Sequence, residues 1–138
     1  MPTATSPAPV SKRGSQRGSV TAELVVATPL LLVLLLLGVQ FALWQHAAHV
    51  ADAVAQQGLQ AARVDGGTAG AGAGQAATVL HQLGAGVLTR PRITASRTAT
   101  SARVAVSGYA EPVLPFLQLP VHAVAAGPTE VFTAGGGP

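Results

Sequence analysis

The apolar residues of this chain are concentrated in one uninterrupted run near the N-terminus. From Leu24 to Trp44 there are 21 residues without a charge, and residues 30–37 read LLLVLLLL. A helix of about 20 apolar residues spans the hydrocarbon layer of a bilayer. Pro29 lies near the start of the run, where a helix tolerates proline, and Trp44 ends it with a side chain that favours the lipid–water boundary. The pattern therefore predicts one membrane-spanning helix.

The residues after this run keep a helical pattern but become amphipathic. Between Gln45 and Arg63 there is no proline and only one glycine. Small apolar residues recur at the spacing of one helix face, and polar residues occupy the opposite face. We therefore expect one helix over residues 19–63, whose second half is a stalk beyond the membrane. The apolar set is Ala47, Val50, Ala51, Val54, Gly58, Ala61 and Ala62, and the polar set is His49, Asp52, Gln56, Gln60 and Arg63.

A glycine-rich segment separates this helix from the rest of the chain. Residues 64–74 contain the sequence DGGTAGAGAG, a composition typical of flexible linkers. Helical spacing of apolar residues resumes over residues 75–88, weakened by two glycines. The pattern predicts a Gly/Ala linker at 64–74 that is followed by a short second helix.

The C-terminal part changes to the composition of β-structure. Val, Thr and Ser are frequent after Pro91, and RVAVS alternates apolar and polar residues as a half-buried strand does. The segments predict a three-stranded antiparallel sheet, and the fold class is therefore α+β. Four segments have the composition of short strands, namely residues 93–98, 102–109, 121–126 and 130–133. They belong to a small head over 75–134, which precedes a loose tail at 135–138.

Charge and composition narrow the possible functions. The chain has a net charge of +3, but its eight basic residues are too few and too scattered to follow a nucleic-acid backbone, so no nucleic acid is expected as the primary ligand. Cysteine is absent, which excludes disulfides, zinc–thiolate sites and a cysteine nucleophile. Lys12, Arg13 and Arg17 precede the apolar run, and positive charge stays on the cytoplasmic side. We expect a disordered basic leader at 1–18, a cytoplasmic N-terminus and an extracytoplasmic C-terminal head.

The boundary between leader and apolar run is the most specific feature of the sequence. It combines Gly18, the small residue Ser19 and a single acid, Glu23, five residues after the glycine. A charge entering a membrane helix costs free energy, so it usually has a partner or a function. Further along the run, Gly38 and Ala42 form a small-xxx-small pair, which allows a second helix to approach closely.

This boundary resembles that of the TadE-like proteins, minor pseudopilins of the tight-adherence (Tad/Flp) pilus apparatus, in their actinobacterial form. The resemblance rests on the order of Arg17, Gly18, Glu23, Pro29 and the leucines that follow. It implies that a prepilin-type peptidase cleaves between Gly18 and Ser19. It also implies that Glu23 interacts with a neighbouring subunit or with its free amino group, and that the partners are other pilins and inner-membrane assembly proteins.

No catalytic constellation is evident from the sequence. His46, His49 and Asp52 are spaced by three residues, so on a helix they fan over about 120° and do not converge on one metal ion. The GAGAG stretch lacks the lysine and the preceding strand of a phosphate loop. His81 and His122 are isolated. We therefore expect no enzymatic activity, no cofactor and no metal.

The sequence thus predicts a single-pass protein of the cytoplasmic membrane that acts in pilus assembly, adhesion or secretion through helix packing. Two alternatives remain open at this point. In one, the protein is an uncleaved membrane anchor or assembly factor. In the other, the apolar run is a conventional signal peptide and the product is secreted. The mature N-terminus separates these three hypotheses. A pilus protein cleaved at the leader begins at Ser19, an uncleaved anchor begins at Met1 or Pro2, and a secreted product begins near residues 48–55.

Overall fold

The computed structural model describes residues 1–9, 14–133 and 135, and it has the expected α+β organisation. Its described residues form two compact units, Met1–Leu37 and Gly38–Pro138. The prediction of a long N-terminal helix, a short helix and a three-stranded antiparallel sheet is confirmed. The elements are α1 (Gly14–Arg63), α2 (Ala69–Leu83), β1 (Leu88–Arg97), β2 (Ser101–Ala110) and β3 (Pro120–Pro128).

In the N-terminal unit, α1 begins at Gly14, five residues before the expected start. The prediction of a disordered leader over 1–18 is therefore wrong for residues 14–18, while residues 1–9 have no regular structure. No proline interrupts the chain between Pro9 and Pro29, so the helical hydrogen bonds extend back from the apolar run. Lys12 and Arg13, expected to set the topology, lie outside the described residues.

The apolar part of α1 is exposed in this unit. Only 6% of its most apolar 18-residue stretch is buried in the structure, and the helix is long and apolar enough to cross a membrane. Pro29 lies inside the helix rather than near its start. Because Pro29 has no N–H, the Val25 carbonyl lacks its usual partner within the helix. The Leu24 carbonyl, one residue earlier, accepts a hydrogen bond from the Thr28 hydroxyl at 2.8 Å.

The second half of α1 belongs to the C-terminal unit and forms its central helix. Ala47, Ala51 and Val54 are fully buried in one core with Val104 and Val106 of β2. The predicted small apolar face is therefore present, but it packs against this chain's own sheet. A separate stalk was the wrong interpretation, because the head already begins within α1 and not at residue 75.

The predicted linker is also partly wrong, since α2 begins at Ala69 within the glycine-rich segment. Thr68 caps this helix: its side chain accepts a hydrogen bond from the Ala71 amide at 3.0 Å, which satisfies one of the free N–H groups at a helix start. Gly72 is buried against α1. Three of the five glycines that suggest flexibility in the sequence, Gly70, Gly72 and Gly74, thus lie in a helix.

The sheet has the order β1-β2-β3, with both pairs antiparallel. β1 starts before the expected residue 93 and contains a bulge between Thr89 and Arg92. Gly108 lies opposite this bulge, where a Cβ would come within 2.9 Å of Leu88. Residues 130–133 are not a strand. The Glu130 amide instead donates to the Arg63 carbonyl at 2.8 Å, so the chain leaves the sheet to contact the end of α1.

Candidate functional site

The expected processing site lies in the early turns of α1. Gly18 and Ser19 are exposed, and a Cβ at Gly18 would meet no atom within 4 Å. The Thr21 hydroxyl donates to the Arg17 carbonyl at 2.9 Å, so the backbone here is helical. Glycine in a helix costs about 1 kcal/mol relative to alanine. Gly18 therefore makes this turn easier to open than alanine at the same position would.

Glu23 is exposed one turn after Ser19 on the same face of the helix. The neighbouring Val20 and Leu24 are apolar and also exposed. Within the described part of the chain, no cation lies within salt-bridge distance of this carboxylate. A carboxylate in an apolar environment gains free energy from a close positive partner.

The predicted helix-packing pair lies on a free surface. Gly38 would meet no atom within 4 Å if it carried a Cβ, and Ala42 is exposed. Phe41 is exposed between them, and its ring lies 5.8 Å from that of Trp44. The geometry leaves this face open to another helix, and no contact within the described part of the head occupies it.

The polar residues considered for chemistry stay apart. His46, His49 and Asp52 are exposed along the outer face of α1, and His81 and His122 lie on other elements. No group of three His, Cys, Asp or Glu residues that could hold a metal ion occurs among the described residues. These side chains are exposed and have no common centre.

Gln40 is a structural residue that the sequence analysis missed. It is 1% exposed, and its side-chain oxygen accepts hydrogen bonds from the Val113 and Leu114 amides at 2.8 and 3.3 Å. Its amide nitrogen donates to the Glu111 carbonyl at 3.4 Å. An uncharged polar residue inside an apolar run was the available signal, because a buried amide requires partners.

Trp44 was expected at the lipid–water boundary, and the structure adds a specific contact. Its indole N–H donates to the Pro120 carbonyl at 3.0 Å. Together with the bonds of Gln40, this hydrogen bond attaches both ends of the segment between β2 and β3 to the first turns of α1 in the head.

The end of α1 is held by an arginine from β1, which sequence reasoning also missed. Arg97 donates hydrogen bonds to the Ala62 and Val64 carbonyls, the latter at 3.0 Å. The last carbonyls of a helix lack intrahelical partners, and a cation there also interacts favourably with the helix dipole. Arg63 and Glu130 form an ion pair at 3.5 Å beside it.

The outer face of the sheet carries a basic concave surface. Arg90, Arg92, Tyr109 and His122 line it, and Arg90 adopts a positive φ of 49°. Non-glycine residues rarely adopt this conformation, and the residue before a proline is further restricted. The bulge therefore holds the backbone in a strained form at the edge of this surface.

Comparison with known proteins gives one match, which covers most of α1. Residues 18–60 match the family model described as TadE-like protein. Neither a search of the curated proteins nor one of the solved structures finds a match. The matched segment starts at Gly18, includes Glu23 and the apolar run, and continues into the core helix of the head. Residues 18–60 are therefore a TadE-like segment, which confirms the resemblance recognised from the sequence and fits a membrane protein related to the Tad pilus.

Proposed function

We propose that this chain is a minor pseudopilin of a tight-adherence pilus or a related secretion system. The observation that carries the proposal is the TadE-like match that begins at Gly18 and continues into an exposed apolar helix with one acid at its start. The N-terminus lies in the cytoplasm, α1 spans the cytoplasmic membrane once, and the head lies outside. A prepilin-type peptidase removes residues 1–18.

Glu23 has the central role in assembly. Cleavage after Gly18 leaves a positively charged amine at Ser19, next to the apolar run. On an incoming subunit this amine pairs with Glu23 of a subunit already assembled, because two opposite charges in contact are far more favourable beside hydrocarbon than two isolated ones. The exposure of Glu23 and the absence of a cation within salt-bridge distance in the described residues support this role.

The protein acts by packing and carries out no reaction of its own. Gly38 and Ala42 leave a groove in which the helix of a neighbouring pilin lies closely against α1. Other pilins, pseudopilins and inner-membrane assembly proteins are the partners, and adhesion or secretion is the result of the complete apparatus.

The structure favours this proposal over secretion after a conventional signal peptide. A cut near residues 48–55 would remove Gln40, Trp44 and Ala47 from the head. It would also fall inside a continuous helix, next to the fully buried Ala51 and Val54. The secreted product would therefore lack part of its own hydrophobic core. The uncleaved anchor keeps the whole core, and only the mature N-terminus separates it from the pseudopilin.

The test is mass spectrometry of the mature N-terminus from membranes of the native host, for the natural protein and for Gly18→Leu. We expect a chain that starts at Ser19 for the natural protein and a full-length chain for the variant. Gly14→Leu is the control, since it changes a glycine of the same leader without altering the proposed cleavage position. An intact natural leader would establish the uncleaved anchor instead.

A further inference from the structure

The segment between β2 and β3, residues 111–119, exposes apolar side chains that the proposed function does not use. Phe116 is 82% exposed, and Val113 is exposed as well. From Pro112 to Val121 the chain carries no charge. Connecting segments on a water-facing surface are usually polar, and an exposed apolar patch indicates an interaction site. We call residues 111–119, in which Glu111 is the one charged residue, the apolar loop.

The apolar loop is fixed to the part of α1 where the apolar run ends. Gln40 binds the backbone of its first half at Glu111, Val113 and Leu114. Beyond its other end, the Pro120 carbonyl accepts the hydrogen bond of Trp44. A buried glutamine with three bonds to one segment holds that segment in a defined position. The loop therefore lies beside residues 40–44, which are the last residues of the apolar run.

Positive charge lies at the same end of the sheet. The register pairs Leu88 with Ala110 and Tyr109 with Pro120, so the start of β1, the end of β2 and the start of β3 share this end. Arg90 and Arg92 are exposed there, and neither has a carboxylate within salt-bridge distance among the described residues. Arginines next to exposed apolar residues suit a surface of lipid phosphates above hydrocarbon.

We infer that the apolar loop is a second membrane contact of this protein. Phe116 inserts into the boundary between headgroups and acyl chains, while Arg90 and Arg92 face the phosphates. The head then lies on the bilayer and does not stand free above it. This inference rests on the proposed function to the extent that α1 must span the membrane.

The absence of cysteine in the chain allows a direct test with single labels. We would introduce Phe116→Cys and attach a polarity-sensitive fluorophore, with the full chain reconstituted at one copy per nanodisc of phosphatidylcholine and phosphatidylglycerol. Phe132→Cys is the matched control. Phe132 is 80% exposed, and it follows Glu130, which bonds the opposite end of the head helix at Arg63. Arg63 lies 23 positions after Gln40, which corresponds to about 35 Å of helix.

The expected result is a blue-shifted emission at position 116 and a several-fold stronger quenching by spin-labelled lipids than at position 132. Val113→Cys retains Phe116 and is expected to give the same result. It keeps the test valid if loss of Phe116 in the first variant disturbs the loop. Equal emission and quenching at 116, 113 and 132 would overturn the inference. A blue shift at position 116 that appears only with two copies per disc would also overturn it, because the label would then be covered by a second copy of the chain.

A label at Leu34→Cys separates this inference from the proposed function. Leu34 is an exposed residue of the apolar run and is expected to be quenched deep in the bilayer. Quenching at 34 without quenching at 113 or 116 rejects the membrane contact of the loop and leaves the membrane span intact. No quenching at any of these positions rejects both.

Discussion

Gly58 of α1 and Gly72 of α2 lie in direct contact in the head. A Cβ on Gly58 would come within 2.9 Å of the Gly72 carbonyl oxygen, and a Cβ on Gly72 within 3.0 Å of the Gly58 carbonyl oxygen. The two helices therefore cross with backbone against backbone. Ala62 and Ala76 extend this contact, since their methyl groups face the same two glycines.

This crossing predicts that Gly72→Ala lowers the stability of the head. The new methyl would lie 2.7 Å from the Ala62 Cβ, and overpacking of this kind costs about 1–3 kcal/mol. Gly74→Ala is the control in the same helix, because a Cβ there meets no atom within 4 Å. It should stabilise α2 by about 0.5–1 kcal/mol through helix propensity. Thermal unfolding of the two variants in detergent would then shift in opposite directions, and equal shifts would contradict the close crossing.

Gln40→Leu should destabilise the attachment of the apolar loop. The substitution leaves the Val113 and Leu114 amides without their acceptor, and a buried donor without a partner costs about 1–3 kcal/mol. Hydrogen exchange measured by mass spectrometry should become faster over residues 111–119. Gln45→Leu makes the same chemical change at an exposed position of the same helix and should leave that exchange unaltered. Unchanged exchange in the Gln40 variant would show that the loop is held by other contacts.

Arg97→Met should weaken the end of α1. The variant keeps an unbranched side chain but removes the hydrogen bonds to the Ala62 and Val64 carbonyls. Hydrogen bonds of a charged donor contribute about 1.5–3 kcal/mol, and partial exposure of Arg97 places the expected loss near the lower value. Arg103→Met, at an exposed position of β2, is the control for loss of one positive charge. Similar unfolding temperatures for the two variants would argue against a capping role.

Glu23→Ala should separate processing from assembly. The variant keeps Gly18 and Ser19, so we expect a mature chain that starts at Ser19 but is recovered at a much lower level from sheared pili. The reason is that the amine of the next subunit loses its counter-ion beside hydrocarbon. Glu23→Asp keeps the charge and should restore part of the assembly. Normal incorporation of the alanine variant would mean that Glu23 only interacts with the dipole at the new N-terminal end that cleavage gives α1, an effect of about 0.3–1 kcal/mol.

Several features of the molecule follow from the sequence because they depend on local chemistry. The apolar run has the length of a bilayer span regardless of what surrounds it. The alternation in β2 predicted which of its side chains are buried, and Val104 and Val106 are indeed in the core. The resemblance to the TadE-like proteins rested on the order of Arg17, Gly18, Glu23, Pro29 and the leucines that follow, and the family match over residues 18–60 confirms it.

Other features could not be read from the sequence because they depend on which surfaces meet. An amphipathic helix with a small apolar face looks the same whether it packs against another subunit or against its own sheet, so the pattern alone equally predicts a stalk in the second half of residues 19–63. The glycines of α2 disfavour an isolated helix by about 1 kcal/mol each. They are helical here because Gly72 lets the backbone of α2 approach Gly58, a gain that exists only in the folded head.

The sequence by itself therefore determined the membrane-type helix, the α+β class and the TadE-like segment, all of which depend on residue order and local periodicity. Only the tertiary structure decided that the head begins inside α1, that Gln40 holds the apolar loop and that Arg97 caps the helix. These contacts join residues more than 30 positions apart in the chain. Packing of the core brings donors and acceptors at such separations together. A local sequence pattern does not specify which of them meet.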